Sequence, residues 1–294
     1  MTAVRQNPER LAATPARPPG RRNRRVAPAG VAWTAVAWLA GLLFFLPVLW
    51  MVLTGFKREV DAASNPPSWF FTPVLDGYRQ VFDRDLTPFL LNSLMASLLS
   101  TLLVLLLATP AAYALSIRPV AKWRDVLFFF ISTKMLPAVA ALLPVYLLVK
   151  ELGMLDNVWT MIVLYTAMNL PLAVWMMRSF LLEVPPALIE AAAVDGASLL
   201  VTIRRILLPI VAPGLAATAL ICFIFSWNEF FLAVNLTATR AGTSPIFLVG
   251  FITSEGLFLA RLCAAATLVS LPVVLAGWIA QKQLVRGLSM GAVK

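Results

Sequence analysis

The chain has 294 residues, 60% of them hydrophobic and 13% charged, with a formal net charge of +10. A soluble domain carries about a quarter charged residues, so an ordinary soluble enzyme is excluded and most of the chain must face lipid or other apolar helices. There are no histidines, and the only cysteines, Cys222 and Cys263, lie in apolar runs, which argues against a catalytic constellation, a metal site or a disulfide framework.

The chain opens with a tail over residues 1–30 that is rich in Pro, Arg and Ala and lacks apolar periodicity. Arg5, Arg10, Arg17, Arg21, Arg22, Arg24 and Arg25 crowd it. No folded module surrounds these charges, so they read as a disordered topology signal touching anionic lipid, not as a nucleic-acid site. A transmembrane region follows over 31–294. Its first uncharged run is long enough for a span at 32–55 and starts too late for a cleaved signal peptide.

Five further spans are expected at about 89–114, 126–149, 157–178, 212–236 and 262–281. The expected fold is therefore all-α, a polytopic membrane bundle of six transmembrane helices. Six spans place both termini on one side, and the Arg-rich tail assigns that side to the cytoplasm. The loop with Arg118, Lys122 and Arg124 then falls inside. The loop from Lys57 to Asp85, with five acids and four bases, falls outside. Pro47, Pro110, Pro137, Pro144, Pro171 and Pro272 sit within the spans, where each bends a helix to fit its neighbours or provides a hinge.

Residues 179–211 are too long for a tight turn and too polar at the centre for a span. Pro185-Pro186 suits a helix start. Ala187 to Val194 reads as a short helix that Gly196 ends in the left-handed conformation. Ser198 is placed to cap a second helix, Leu199 to Leu208, that stops before Pro209. No reciprocal capping box exists, because position 201 is Val. Helix, glycine turn and helix make a stiff knob. Its alanines keep the surface narrow, and Glu190 and Asp195 offer charge to a basic partner. The plainer alternative is an amphipathic helix lying on the membrane surface.

EAAAVDGASLLVTIRRILLPIVAP resembles the EAA loop of binding-protein-dependent ABC importer permeases. The matching positions are Glu190, Ala191, Ala192, Asp195, Gly196, Ala197, Ile203, Leu208, Pro209 and Pro213. Ile203 stands where the family usually has phenylalanine and keeps an apolar anchor. The resemblance runs from about residue 32 to the end. FSWNEFFLAVNLT (225–237) and LVRGLSMGAVK (284–294) are similar to the carbohydrate-uptake subfamily, with its maltose-type and sorbitol/mannitol-type permeases. STKMLP (132–137) and YTAMNLP (165–171) lean toward the polyol members.

The resemblance implies the ABC type I importer permease architecture and a heteromeric complex. A second permease subunit pairs in the membrane, two ATPase subunits bind ATP and Mg, and an extracytoplasmic solute-binding protein delivers a sugar or polyol. The coupling residues it implies are Glu190, Ala191, Ala192, Asp195, Gly196, Ala197, Leu208 and Pro209. The chain itself contains no G-x-x-x-x-G-K-[ST] run, so it is expected to be a non-catalytic transport subunit without a cofactor of its own. The C-terminal Gly287 to Lys294 is expected to be a frayed tail or a segment reaching between the ATPase subunits.

Sugar rings have apolar faces and hydroxyl rims, which aromatic and polar side chains suit. Trp227, Asn228, Glu229, Tyr165 and Asn169 fit that chemistry, and Lys134 adds an ionisable group at depth. Packing, interfacial or snorkelling roles remain open for each of them. Two other functions also remain open: a permease of the same superfamily for an amino acid, polyamine or oxyanion, and a stand-alone secondary transporter. The second should show inverted repeats, and no internal duplication is visible.

Overall fold

A computed structural model describes residues 28–117, 120–253 and 256–292, with side chains over 31–117, 120–253 and 257–283. The tail up to residue 27 lies outside the described residues. The chain divides into a unit ending at Leu49 and a unit from Trp50 onward.

The backbone is almost entirely helical. Helix α1 (Pro28–Gly55) is followed by the short α2 (Glu59–Ala62) and α3 (Asp76–Asp83). Then come α4 (Leu86–Ser116), α5 (Trp123–Met135), α6 (Ala138–Glu151) and α7 (Val158–Leu182). The loop helix α8 (Pro186–Val194) leads through α9 (Leu199–Val201) and a π-helical turn at Thr202–Leu207 into α10 (Leu208–Trp227). Helices α11 (Phe231–Leu236) and α12 (Ser244–Val249) precede a two-stranded hairpin of β1 (Ile252–Thr253) and β2 (Gly256–Leu257). Helix α13 (Leu259–Ala292) ends the chain. Among the described residues, five helical stretches are long and apolar enough to span a membrane, and α5 with α6 form a sixth, bent pair. A backbone in lipid must satisfy its own hydrogen bonds, so leucine- and alanine-rich segments of this length become helices.

Helices α4, α7 and α10 form the centre of the bundle. Helix α4 runs parallel to α7, and α10 runs antiparallel to both. Near the α8 end, Ala112, Met177, Leu181, Leu207 and Val211 make one core cluster. At mid-height Val104, Ala173, Val174 and Cys222 make another. Near the opposite end Ala96, Met161, Ile162 and Tyr165 pack against Ala233 and Leu236 of α11. Small residues at these contacts let the backbones approach closely.

The expected single span at 126–149 is two helices meeting at 91°. Pro137 disfavours helical geometry at the residue before it. Leu136 is accordingly extended at ψ 125°, and Pro137 has ψ 126°. Two consecutive extended residues turn the chain.

The expected stop before Pro209 is also absent. The helix runs unbroken from Leu199 to Trp227. Proline removes an N–H donor, and the preceding turn widens to absorb the loss. The N–H of Leu208 donates to the carbonyl of Ile203, five residues back. The backbone of the C-terminal segment, expected to fray or to reach between the ATPase subunits, is helical to Ala292.

Candidate functional site

The knob between α7 and α10 is built as a closed corner. Helix α8 starts at Pro186 and ends at Val194. Gly196 adopts φ +70°. Its N–H donates to Ala193 O at 3.2 Å, and the N–H of Ala197 donates to Ala192 O at 2.9 Å. This pair of bonds closes the helix end. Ser198 Oγ then accepts the N–H of Val201 at 3.4 Å, starting the next helix.

The knob has an inner and an outer side. Ala192 is buried, and Ile189 and Ile203 pack on the cluster of Met177, Leu181 and Leu207. Ile203 thus provides the anchor expected of it. Glu190, Ala191, Val194, Asp195 and Gly196 are exposed, and Ala197 is half-buried. Leu208 is half-buried and Pro209 exposed where the π turn enters α10. A narrow acidic ridge therefore rests on an apolar base fused to two long helices.

A basic, aromatic cluster lies at the same end. The Trp123 ring is flanked by the guanidinium of Arg124 at 4.6 Å and that of Arg178 at 4.7 Å. Arg178 Nε also donates to Leu115 O at 3.1 Å, tying α7 to α4. No sequence motif singled out this stack.

A cleft of about 350 Å3 opens at the break between α5 and α6. Lys134 and Thr133 line one wall, and Met168 and Pro171 of α7 line another. Glu229 and Phe231 line a third. Of the six expected pathway residues, Lys134 and Glu229 therefore share one cavity. Glu229 is also structural. Its Oε1 accepts the N–H of Leu232 at 2.8 Å, and its Oε2 accepts that of Ala233 at 3.1 Å, so it caps α11.

The other four lie elsewhere in this packing. Tyr165 is buried, and its hydroxyl donates to Glu229 O at 3.5 Å. Asn169 is wholly buried. Its Nδ2 donates to Ser226 Oγ at 2.9 Å, and Ser226 Oγ lies 3.1 Å from Ser100 Oγ. These three side chains stitch α4, α7 and α10 together. Trp227 is buried in a cluster with Phe223, Leu86 and Phe251. Asn228 is exposed and donates to Ile224 O at 2.8 Å.

At the end opposite α8, the sequence hid a second device. Asp156 sits at φ +53°. Its carboxylate accepts the backbone N–H groups of Ala238, Thr239, Arg240 and Ala241 at 2.8 to 3.2 Å. Burial alone would raise this acid, but the four N–H donors outweigh it and hold its pKa at about 2. The same loop is tied to α4. Asn92 Nδ2 donates to Arg240 O and Gly242 O, and Ser93 Oγ accepts the N–H of Ser244.

The family model of the binding-protein-dependent transport system inner membrane component matches residues 105–289, a stretch that contains both the knob and the cleft. The chain belongs to this family of inner membrane transport components. The probable ABC transporter permease protein y4oR of Sinorhizobium fredii is 39% identical over 263 residues, covering 89% of this chain and 95% of that protein. The trehalose transport system permease protein SugB of Mycobacterium tuberculosis is 32% identical, covering 89% of this chain and 97% of that one. In structure, the chain resembles that of a bacterial ABC transporter involved in the import of the acidic polysaccharide alginate. The TM-score is 0.71 at 21% identity, over 90% of this chain and 99% of the other. At that identity the likeness speaks for the fold alone.

As a binding-protein-dependent transport component, the chain is a multi-pass inner membrane protein of the permease kind, which is non-catalytic. Such components work together with an ATPase and a binding protein.

Proposed function

We propose that this chain is one of two permease subunits of an ATP-driven importer for a carbohydrate, a sugar or polyol. ATP and Mg are handled by two separate ATPase subunits, and an extracytoplasmic binding protein supplies the solute. The α8 knob docks in a groove on one ATPase subunit. The observation that carries this reading is the closed corner: the Gly196 turn is sealed by two backbone hydrogen bonds between two long helices. A displacement of α8 therefore passes into α7 and α10 with little loss. That is rigid-body switching between two packings of one bundle.

The proposed topology puts the knob and both termini in the cytoplasm. Lys122, Arg124, Arg178, Arg204 and Arg205 lie at the α8 end, and Arg5 to Arg25 crowd the tail. Positive charge is retained on the cytoplasmic side. The carbohydrate reading is supported by motifs 225–237 and 284–294 and by the trehalose relative. The solute path runs along the cleft between Lys134 and Glu229.

Purification of the tagged chain in mild detergent tests the complex. A co-purifying ATPase and second permease are expected. Reconstitution of that complex should give ATP-dependent uptake of a labelled sugar or polyol only with the binding protein present. Uptake by this chain alone without ATP would overturn the proposal.

A further inference from the structure

Lys134 stands about 16 Å along α5 from Trp123, at 1.5 Å per residue. The hydrocarbon core of a bilayer is about 30 Å thick, so this ammonium sits near mid-depth. Its four-carbon stem is too short to carry the charge back to the Trp123 level. Charges at such depth face a cavity or a partner group. Lys134 lines the cleft at the α5–α6 break. Among the described residues it makes no ion pair and no ring contact. Glu229, on the facing wall, has both carboxylate oxygens engaged by the N–H groups of Leu232 and Ala233. The rest of the wall is mostly apolar or aromatic, as at Met168, Pro171 and Phe231. The cavity therefore presents apolar faces, an ammonium without an ion partner and, across from it, a carboxylate whose two oxygens already accept from α11, and its size falls in the range of small-ligand pockets, about 300–1,000 Å3.

We infer that Lys134 makes this permease selective for carbohydrates that bear an anionic group: a carboxylate, sulfonate or phosphate ester. The inference rests on the carbohydrate-import reading above and adds the charge of the substrate to it. The sugar ring lies against the apolar wall. Its oxyanion takes the lysine ammonium as counter-ion in a charge-assisted hydrogen bond.

The test uses the intact transporter complex with its binding protein in proteoliposomes. Matched pairs serve as probes: glucose against glucuronate, glucose against its 6-sulfonate, and glycerol against glycerol 3-phosphate. Solute-stimulated ATP hydrolysis and competition for uptake are read for each pair. The charged members are expected to stimulate and compete, and the three arms show which oxyanion is taken. Lys134→Gln is expected to reduce the charged-over-neutral preference about tenfold, the loss of one charge-assisted hydrogen bond, and Lys134→Arg to keep most of it. If neutral sugars are imported and their charged partners are not, the inference about Lys134 fails while the carbohydrate reading stands. If no member of any pair stimulates, the inference about Lys134 fails, and the carbohydrate reading is judged by the uptake assay of the complex given above. An equal response to both members of every pair also overturns the inference. The wild-type panel decides the matter even if Lys134→Gln does not assemble.

Discussion

Gly214 of α10 lies flat against the ring of Phe180 in α7. A Cβ at position 214 would stand 2.2 to 2.6 Å from the ring carbons. Phe180 is two residues from the end of α7, and Gly214 lies just beyond Pro213 in α10. The contact therefore joins the two helices that hold the knob. Gly214→Ala is expected to force the helices apart and lower stability by about 1–3 kcal/mol, the usual range for overpacking. A thermal shift of purified protein checks this. In a Phe180→Ala background the Gly214→Ala step should cost much less than it does in the wild type. Additive losses in the pair would show that the ring is not the obstacle.

The corner at Gly196 makes a different demand. Nothing lies within 4 Å of a Cβ placed there, so space is not limiting. The left-handed backbone at φ +70° is the limiting feature. Gly196→Ala should cost about 1 kcal/mol locally and leave the bundle assembled. Glu190→Lys reverses a charge on the exposed ridge, and Gly196→Asp strains the left-handed turn and adds a bulky side chain to the ridge. All three variants are expected to insert normally and to lower the ratio of solute imported to ATP hydrolysed. Normal coupling in well-expressed variants would count against the docking role of α8.

The Asp156 carboxylate gives a pH signature. Its folded pKa, about 2, lies below the ordinary value of 3.8. The charged form is the one the four N–H donors hold, so its stabilising contribution is complete above about pH 4. That contribution is lost as pH falls through the window from 4 to 2. The melting temperature of the wild type should therefore fall more steeply across this window than that of Asp156→Asn. At neutral pH the variant should be less stable by about 1–3 kcal/mol, the range for hydrogen bonds to a charged acceptor. Parallel melting curves for the two proteins below pH 4 would remove the carboxylate from the account.

The span pattern and the knob could be read from the sequence because their signals are local. Twenty uncharged residues mark a helix in lipid, and Pro185-Pro186, Gly196 and Ser198 mark a corner within a few positions. The structure adds what hydropathy does not carry where proline acts on geometry. Pro137 lies inside a window whose hydropathy reads as one span, yet its effect on Leu136 turns the chain by 91°. Pro209 reads as a stop, yet one π-helical turn carries the helix past it. The Asp156 latch left no signal, because its donors are backbone groups 82 to 85 positions away. Trp227 and Asn169 have the right chemistry for sugar, but only packing shows that they sit in helix contacts.

Asn169 allows packing and solute contact to be separated. Its Nδ2 has Ser226 Oγ as a good acceptor and Cys222 O at 3.5 Å as a poor one. Its Oδ1 finds no donor among the described residues. Ser226→Ala leaves Ser100 Oγ with Ser97 O at 3.2 Å and Asn169 with its weaker acceptor. Polar side-chain bonds between membrane helices contribute about 0.6 kcal/mol on average. Ser226→Ala should therefore lower stability by less than about 1 kcal/mol. Asn169→Leu removes an unpaired acceptor together with its donor, and Ser226 Oγ keeps Ser100 Oγ as a partner, so no buried group is left orphaned. If the side chain only packs, both variants should melt close to wild type and import solute at the wild-type rate. A normal melt with an impaired apparent affinity in Asn169→Leu alone would place this amide on the solute path in the alternate packing of the bundle.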